Sequence, residues 1–554
     1  MFRQTVLLAL GLLACGQNAA AVDLPNAGSQ IQQIPAPPTL EKSQPQIRIQ
    51  QKSAGETGAA DNMKIHVEAL HLTGAHVYSD AKLLALTGFE PGRELSLSDL
   101  RGMATKITDY YHKKGYILAQ AYLPAQDIKN GVVTIAVLEG QYGKIQLRNK
   151  TNLSDSLVYS RLSGIDSADT VNIEPLESRL LLLSDIPGVN VTSTLTPGAT
   201  IGASDLIVDV DPGRRVTGSV YADNAGDRYS GQYRAGGTVN INNLLGRGDV
   251  ATLSGLTSGR GLNYGRASYQ MQFGKATVGV AYSRLGYRLG KEFEDLDAHG
   301  TADIASVYGS YPLIRSRNTN LSVQLEYDHK ILRDRANGFV SNRTADTGSL
   351  SLLGEHRDNF GAGGLSAFSL TATTGRINIQ TPEVRAFDAI TARSNGSFNK
   401  LGFSVSRLQN LTQSVSLYAR IRGQFASKNL DSSEEMSLGG IDAVRAYPQG
   451  EGWGDQGYIA TAEARWLLPR FTANQPGRVQ LIAFVDTGTT LNHRNPWLPG
   501  PNRRTLSGAG VGVNWIGYNN FVVKASYARK LGNAQALSAP DKNGIFWVQL
   551  VKYF

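Results

Sequence analysis

The chain of 554 residues is too long for one ordinary soluble domain, and its net charge of +9 is spread without a dense Lys/Arg tract, which argues against nucleic acid as a partner. Only 18% of residues are charged, yet no run reaches the eighteen or so apolar residues that a spanning helix needs. The 60 glycines, and an excess of Tyr (23) over Phe (16) and Trp (5), suit a β-barrel with aromatic side chains at two membrane interfaces.

Residues 1–21 read as an export signal: Arg3 supplies the positive start, Thr5 to Ala14 the apolar stretch, and Ala19-Ala20-Ala21 a small-residue cleavage site before Val22. Leu12-Leu13-Ala14-Cys15 also fits a lipoprotein cleavage box, which would leave a lipidated Cys15. Cleavage after Ala21 is preferred because a barrel needs no lipid anchor. Cys15 is the only cysteine, so the mature chain can form no internal disulfide. Residues 22–64 are rich in Pro and Gln (Pro25, Pro35, Pro37, Pro38, Pro45) and carry too little apolar area to fold alone. A helix of one to two turns, a candidate plug, is expected near Asn26 to Ile34.

Residues 65–140 and 141–212 read as two α+β units of the same β-α-α-β-β order, each roughly 70 residues and so large enough for a core of its own. In the first, Ile65–Leu72 is a strand and Ser79–Thr87 a short helix. Leu100, Met103, Ile107 and Tyr110/Tyr111 recur at helical spacing over Ser98–Lys114, and Lys113-Lys114-Gly115 is a stop signal. Strands follow at Tyr116–Leu123 and Val132–Leu138, with a turn at Asn130-Gly131. The second unit predicts a strand at Gln141–Leu147, helices at Ser154–Leu162 and Ile173–Leu183, and strands at Val189–Leu195 and Asp205–Val210.

Residues 213–554 show period-two alternation. Leu321, Val323, Leu325 and Tyr327 alternate with Ser322, Gln324, Glu326 and Asp328. Tyr458, Ala460, Ala462, Ala464 and Trp466 alternate with Thr461, Glu463 and Arg465. Many strands of roughly ten residues with Arg and Glu on one face suit apolar side chains toward lipid and polar ones toward a wet lumen. About 340 residues at about 20 per strand and connection predict a transmembrane β-barrel of about 16 antiparallel strands. Ile545 to Phe554 forms a last strand with Phe546, Val548, Leu550 and Phe554 on one face, the kind of ending that outer-membrane assembly machinery recognises.

No enzyme signature is present: there is no HExxH, no Walker loop, no usable Cys nucleophile and no metal-ligand spacing among the eight His residues, so no cofactor or metal is expected. Gly508-Ala509-Gly510-Val511-Gly512 lies in strand territory with no helix after it, and reads as close backbone approach rather than a dinucleotide fingerprint. Two constellations stand out. Leu438 to Pro448 is a Gly-flanked loop between strongly alternating strands. Phe484-Val485-Asp486-Thr487-Gly488 follows an apolar face of Val479, Leu481, Ala483 and Val485, which places Phe484 and Asp486 toward the lumen. A loop arginine folded inward could meet Asp486 in a bidentate, charge-assisted contact.

These residues carry a family resemblance. Val444, Arg445 and Tyr447 look like the lumen-loop signature of the Omp85 superfamily, and Phe484-x-Asp486-x-Gly488 like its partner strand motif. Gly115-Tyr116, then Tyr122 to Ile128 with Pro124, Gln126 and Asp127, then Val137-Leu138-Glu139-Gly140, resemble the first POTRA domain of two-partner secretion transporters. Asp223 to Gly226 and Asn243 to Asp249 resemble that family's first barrel strands and turn. The resemblance covers residue 65 to Phe554. It implies a 16-stranded barrel behind two POTRA domains, often with a plug helix, located in the outer membrane with the POTRA domains in the periplasm. It further implies export of one large, β-helical exoprotein without ATP, the POTRA domains capturing the unfolded substrate. The partners expected are that exoprotein, outer-membrane lipid and, during biogenesis, the barrel assembly machinery. One departure is Ala446, where the family usually has Gly; a left-handed backbone there would cost about 1–2 kcal/mol. An insertase of the same superfamily is the alternative, but those usually carry three or more POTRA domains. A porin, a receptor and an enzyme fit less well.

Overall fold

The computed structural model describes residues 24–38, 46–49, 64–470, 472, 475–497 and 499–554. The expected export signal, with Cys15, lies outside the described residues, as does Pro45. Among the described residues no helix is long and apolar enough to cross a membrane.

The first α+β unit is built around a well-capped helix. Strands β2 (Lys64–Val67) and β3 (Ala69–Thr73) lead to α2 (Asp80–Thr87), β4 (Arg93–Ser96), α3 (Leu97–Lys113), β5 (Gln120–Tyr122) and β6 (Val132–Leu138); α1 (Ala27–Ile31) and β1 (Gln46–Ile49) precede them. At the start of α3 the Ser96 hydroxyl accepts from the Asp99 backbone N–H at 3.1 Å while the Asp99 carboxylate accepts from the Ser96 N–H at 2.9 Å. The apolar stripe of α3 (Leu100, Met103, Ala104, Ile107, Tyr111) is buried, and the helix stops before Gly115, at φ 88°. Two expectations change here. The single strand over Ile65–Leu72 is broken at Glu68, whose N–H, with that of Ala69, turns to the Gly131 carbonyl (2.8 and 3.3 Å), so β2 pairs with β4 and β3 with β6. The strand over Tyr116–Leu123 shrinks to β5, because Tyr116 folds back to donate to the Tyr111 carbonyl at 3.0 Å and stacks edge-on to Tyr111 and Tyr78.

The second unit follows as β7 (Gln141–Asn149), α4 (Asp155–Leu162), α5 (Ile173–Ser184), β8 (Val189–Pro197) and β9 (Ala203–Pro212). Its sheet runs β1-β8-β9-β7, so its outer edge is covered by a strand from the Pro/Gln-rich segment, parallel to β8 from Gln46↔Thr192 to Ile49↔Leu195.

From β10 (Val216–Asp223) and β11 (Arg234–Asn242) onward, sixteen antiparallel strands close into a barrel. Their lengths run from 8 residues in β10 to 20 in Phe339–Asp358, a wider range than the uniform ten the pattern suggested. Leu325, Tyr327, Tyr458, Trp466 and Val485 project outward and are exposed, as the alternation requires of a lipid-facing side. The barrel closes between β10 and the last strand, Gly544–Tyr553, over five Cα pairs from Ser219↔Tyr553 to Asp223↔Gln549. Both ends of this short seam are reinforced. Phe554 and Gly218 exchange both backbone hydrogen bonds at 3.1 Å. At the other end the Asn224 carboxamide imitates a strand, donating to the Phe546 carbonyl and accepting from the Val548 N–H, each at 2.8 Å.

Asn224→Ala removes two hydrogen bonds at the seam and should destabilise the closed barrel by about 1–3 kcal/mol. The temperature at which the detergent-folded protein loses its compact electrophoretic mobility should fall accordingly; an unchanged transition would contradict the clip.

Candidate functional site in the barrel lumen

The loop 427–455 joins strands Val415–Ala426 and Gln456–Leu467 and turns inward. At its tip Arg445 meets Asp486 through a fork: Nε donates to Oδ2 and Nη2 to Oδ1, both at 2.8 Å, and the Arg445 backbone N–H reaches Oδ2 at 3.2 Å. Asp486 is wholly buried and the Arg445 side chain only 12% exposed. The remaining donors and faces of the guanidinium are also used. Nη1 pairs with Glu463 at 2.8 Å, and the group lies 3.4 Å from the centroid of the Phe484 ring. Thr461 Oγ1 adds a fourth donor to Asp486, at 2.9 Å.

The wall supports this contact by strand register. Thr461↔Asp486 and Glu463↔Phe484 are cross-strand pairs, so three lumen-facing side chains (Asp486, Glu463 and Phe484) meet one guanidinium and Thr461 steadies Asp486 beside it. The next strand contributes space: a Cβ on Gly508 would lie 2.4 Å from that of Ala446, and one on Gly510 2.5 Å from the Phe484 ring. The glycine run is therefore the close approach that the sequence suggested, and what approaches is the loop. Gly488 likewise admits Leu438. Ala446 does not have positive φ, so the left-handed cost expected of it does not arise; its methyl fills the space over Gly508. Val444 is buried and donates to the Leu438 carbonyl at 2.8 Å, Tyr447 Oη donates to the Ala534 carbonyl at 3.0 Å, and Trp547 Nε1 donates to the Arg445 carbonyl at 2.7 Å.

The base of the loop docks separately. Glu434 pairs with Lys330 and Lys400 at 2.6 and 2.7 Å, and Arg343 bridges Asp431 at 2.5 Å to Asp334 at 2.7 Å. Asp334 also accepts from the Ala27 N–H at 2.7 Å, at the start of α1. Helix α1 lies in the lumen against this loop. Asn26 Oδ1 accepts from Ser432 Oγ at 2.7 Å, Gln32 bonds the Ser433 carbonyl, and Gly28 is so close to Ser432 and Ser433 that no side chain would fit.

The POTRA signature is brought together only in part, and inside the unit. Glu139 accepts from Tyr111 Oη at 2.6 Å and from the His76 and Val77 N–H groups at 2.8 Å. The Gln126 carboxamide exchanges two hydrogen bonds of 2.7 Å with the Thr134 backbone and reaches the Pro124 carbonyl at 3.3 Å, holding that segment along β6. Gly115 and Gly140 both have positive φ, and the Gly115 carbonyl accepts from the Ile173 N–H of the second unit at 2.9 Å. Asp127 is exposed and apart from these contacts. Phe554 is not among the residues at the loop tip; it ends the last strand at the seam, seven residues beyond Trp547, which does reach the tip. Glu463, Thr461 and Trp547 were not singled out as partners of Arg445. Glu463 and Thr461 belong to the polar face of an alternating strand, but the meeting of Glu463 with Arg445 and of Thr461 with Asp486 depends on register between strands.

The model for the haemolysin secretion/activation protein ShlB/FhaC/HecB matches residues 202–515, and the POTRA domain, ShlB-type, matches residues 65–140. The chain belongs to this family. It is a two-partner secretion transporter of the outer membrane, with its POTRA region in the periplasm. The heme/hemopexin transporter protein HuxB of Haemophilus influenzae (strain 86-028NP) is 31% identical over 471 residues, 84% of this chain and 82% of its own. The outer membrane transporter CdiB of Dickeya dadantii (strain 3937) is 26% identical over 440 residues, 77% of this chain and 76% of its own. The structure of CdiB from Escherichia coli superposes with a TM-score of 0.68 at 22% identity, covering 91% of this chain and 92% of that one. BamA from Haemophilus ducreyi lacking POTRA domains 1-3 gives 0.53 at 14% identity, covering 88% of this chain and 100% of that one. Both likenesses concern the fold alone, and the family match favours an exporter over an insertase.

Arg445→Lys keeps the charge but loses the fork and the planar face over Phe484. It should loosen the loop by about 1–3 kcal/mol, the usual worth of hydrogen bonds to a charged group. Limited proteolysis of the detergent-folded protein should then cut within 427–455 as readily as in Arg445→Ala; protection at the wild-type level would contradict the geometry.

Proposed function

We propose that this transporter captures one large exoprotein through its POTRA units and passes it through the barrel without ATP, and that α1 is a plug that must leave first. The reading rests on one observation: α1 and the loop occupy the lumen together and bond to each other, Asn26 to Ser432 and Gln32 to Ser433, so both stand in the substrate's path. The Arg445–Asp486 contact holds the loop tip at the wall in a transport-competent position. No bond-making chemistry is required of the protein; folding of the exoprotein outside makes return unfavourable.

Capture proceeds by strand addition to a POTRA edge. The outer edge of β8 carries the chain's own β1, which is tied to α1 by a short stretch of chain, so displacement of β1 and release of α1 are linked. Among exoprotein classes (adhesin, haemolysin, contact-dependent toxin, haem-acquisition protein) the name of the relative HuxB, heme/hemopexin transporter, favours the last. Lipid contacts the outward row that includes Leu325, Val485 and Leu550, and Phe554 is the signal read by the barrel assembly machinery.

Deleting the gene should remove one very large protein from the medium, and its continued appearance would overturn the assignment. Removing residues 22–40 from the mature protein should raise single-channel conductance in planar bilayers; an unchanged conductance would refute the plug.

A further inference from the structure

The second α+β unit is fastened to the periplasmic turns of the barrel. Arg315 forms a fork with Asp185 at 2.7 and 3.0 Å, Arg317 pairs with Glu177, and Asn152 bonds Asn243 at 2.7 Å. Beside these satisfied pairs lies a group of cations of another kind. Arg161, near the end of α4, is only 3% exposed, yet its guanidinium donates to a neutral group, Gln272 Oε1 at 2.7 Å, and its Nε is buried without a partner. Arg179 of α5 lies over Gly164, its Nη2 3.0 Å from where a Cβ would stand, and its Nε too is buried and unpartnered. Lys275 occupies the turn between strands Leu262–Phe273 and Ala276–Arg288. Burial, then the fields of Arg179 and Arg161, hold its ammonium below the usual lysine range, so the three charges feel one another. None of them forms an ion pair among the described residues.

An unpaired buried guanidinium is costly; the Asp185 carboxylate acts on Arg161 from a distance, but it is already forked to Arg315, so the three cations remain net positive. The surroundings indicate what would neutralise them. Strand Leu262–Phe273 ends in Phe273, which points to the lipid side and is exposed; Tyr311, on the lipid side of a nearby strand, is exposed too and close enough to act on Arg161. Leu245, in a neighbouring periplasmic turn, is also exposed. A groove of about 470 Å³, lined by Ser156, Ser160, Arg247, Gln272, Phe273 and Gly274, runs between α4 and these turns; the three cations lie beside it rather than in its lining, Arg161 next to Ser160 and Lys275 next to Gly274. The cations therefore sit just beyond an aromatic border, at the height where phospholipid headgroups lie.

We propose that Arg179 and Lys275, backed by the buried charge of Arg161, bind the phosphate of a phospholipid in the inner leaflet of the outer membrane, its acyl chains running along Phe273. Such a lipid would complete the joint between the second POTRA unit and the barrel. It would fix that unit's orientation on the membrane through charge, beside the direct pairs Arg315–Asp185 and Arg317–Glu177.

The test uses full-length protein, delipidated in a phosphate-free detergent and titrated with short-chain phosphatidylglycerol, bound lipid being counted by native mass spectrometry. Arg179→Gln and Lys275→Gln, neither of which breaks an ion pair, are compared singly and together with the wild type. The double variant should bind about 30-fold more weakly, about 2 kcal/mol, with each single variant between. Equal binding by wild type and double variant overturns the site. Inorganic phosphate is the second arm, read as the thermal transition. Protection of the wild type by phosphate as strong as that by lipid overturns the lipid assignment in favour of a free anion. If the double variant shows a lowered transition without lipid, Lys275→Arg, which keeps the charge, should bind lipid as tightly as the wild type; weakened binding by it also overturns the proposal.

Discussion

A carboxylate with no exposure to water is the constraint around which this lumen is organised. Asp486 lies on the barrel wall, and an uncompensated charge there would be prohibitively expensive. Its compensation comes from a loop that folds into the lumen to reach it. Arg445 satisfies both oxygens with its fork, Glu463 takes the outer nitrogen, and Phe484 covers the face. The adjacent strand is then obliged to be glycine where the loop and the Phe484 ring press against it, at Gly508 and Gly510. One buried charge thereby accounts for a loop position and a wall composition.

The loop has a second anchorage, and the two ends differ in character. The tip is held by a planar, shape-specific contact. The base is held by cations, Lys330, Lys400 and Arg343, that act on Glu434 and Asp431, and Arg343 continues through Asp334 to the first backbone N–H of α1. Helix α1 has five residues, far too few to be stable alone, and its buried polar faces exist only because the loop and the wall complete them. A change that moved the loop base would withdraw much of what holds the helix. The chain then continues from α1 to β1 on the POTRA edge, so the lumen and the periplasmic edge are connected along one short piece of chain.

What could be read in the sequence was whatever depends on local period or on a single residue type. The alternation of Leu481, Ala483 and Val485 placed Asp486 toward the lumen, and the α3 stripe with Gly115 marked that helix and its end. Ala446 shows the limit of carrying a family pattern over: the missing glycine suggested strain, while the structure has Ala446 outside the left-handed region and uses its methyl as filling. Features made by distant segments were not legible. Glu463 reaches Arg445, and Thr461 reaches Asp486, only through the register of Gln456–Leu467 on Arg478–Leu491, and Glu68 interrupts a strand because Gly131, far along the chain, accepts its N–H. The pairing of β1 with β8 joins residues nearly 150 positions apart, and a Pro/Gln-rich context gave no hint of it. The signature around Gln126 and Glu139 also changed meaning, since most of it is spent on holding the first unit together.

The most direct test of the lumen lock is a double-mutant cycle on Arg445 and Asp486, with Arg445→Ala, Asp486→Ala and the double variant measured by reversible unfolding of the detergent-folded protein. If the fork is formed and buried, the two sites should couple by about 1–3 kcal/mol, and the double variant should be little worse than the worse single one. Additivity within about 0.5 kcal/mol would mean that the two groups do not meet in the folded protein, and the account of the loop would be contradicted.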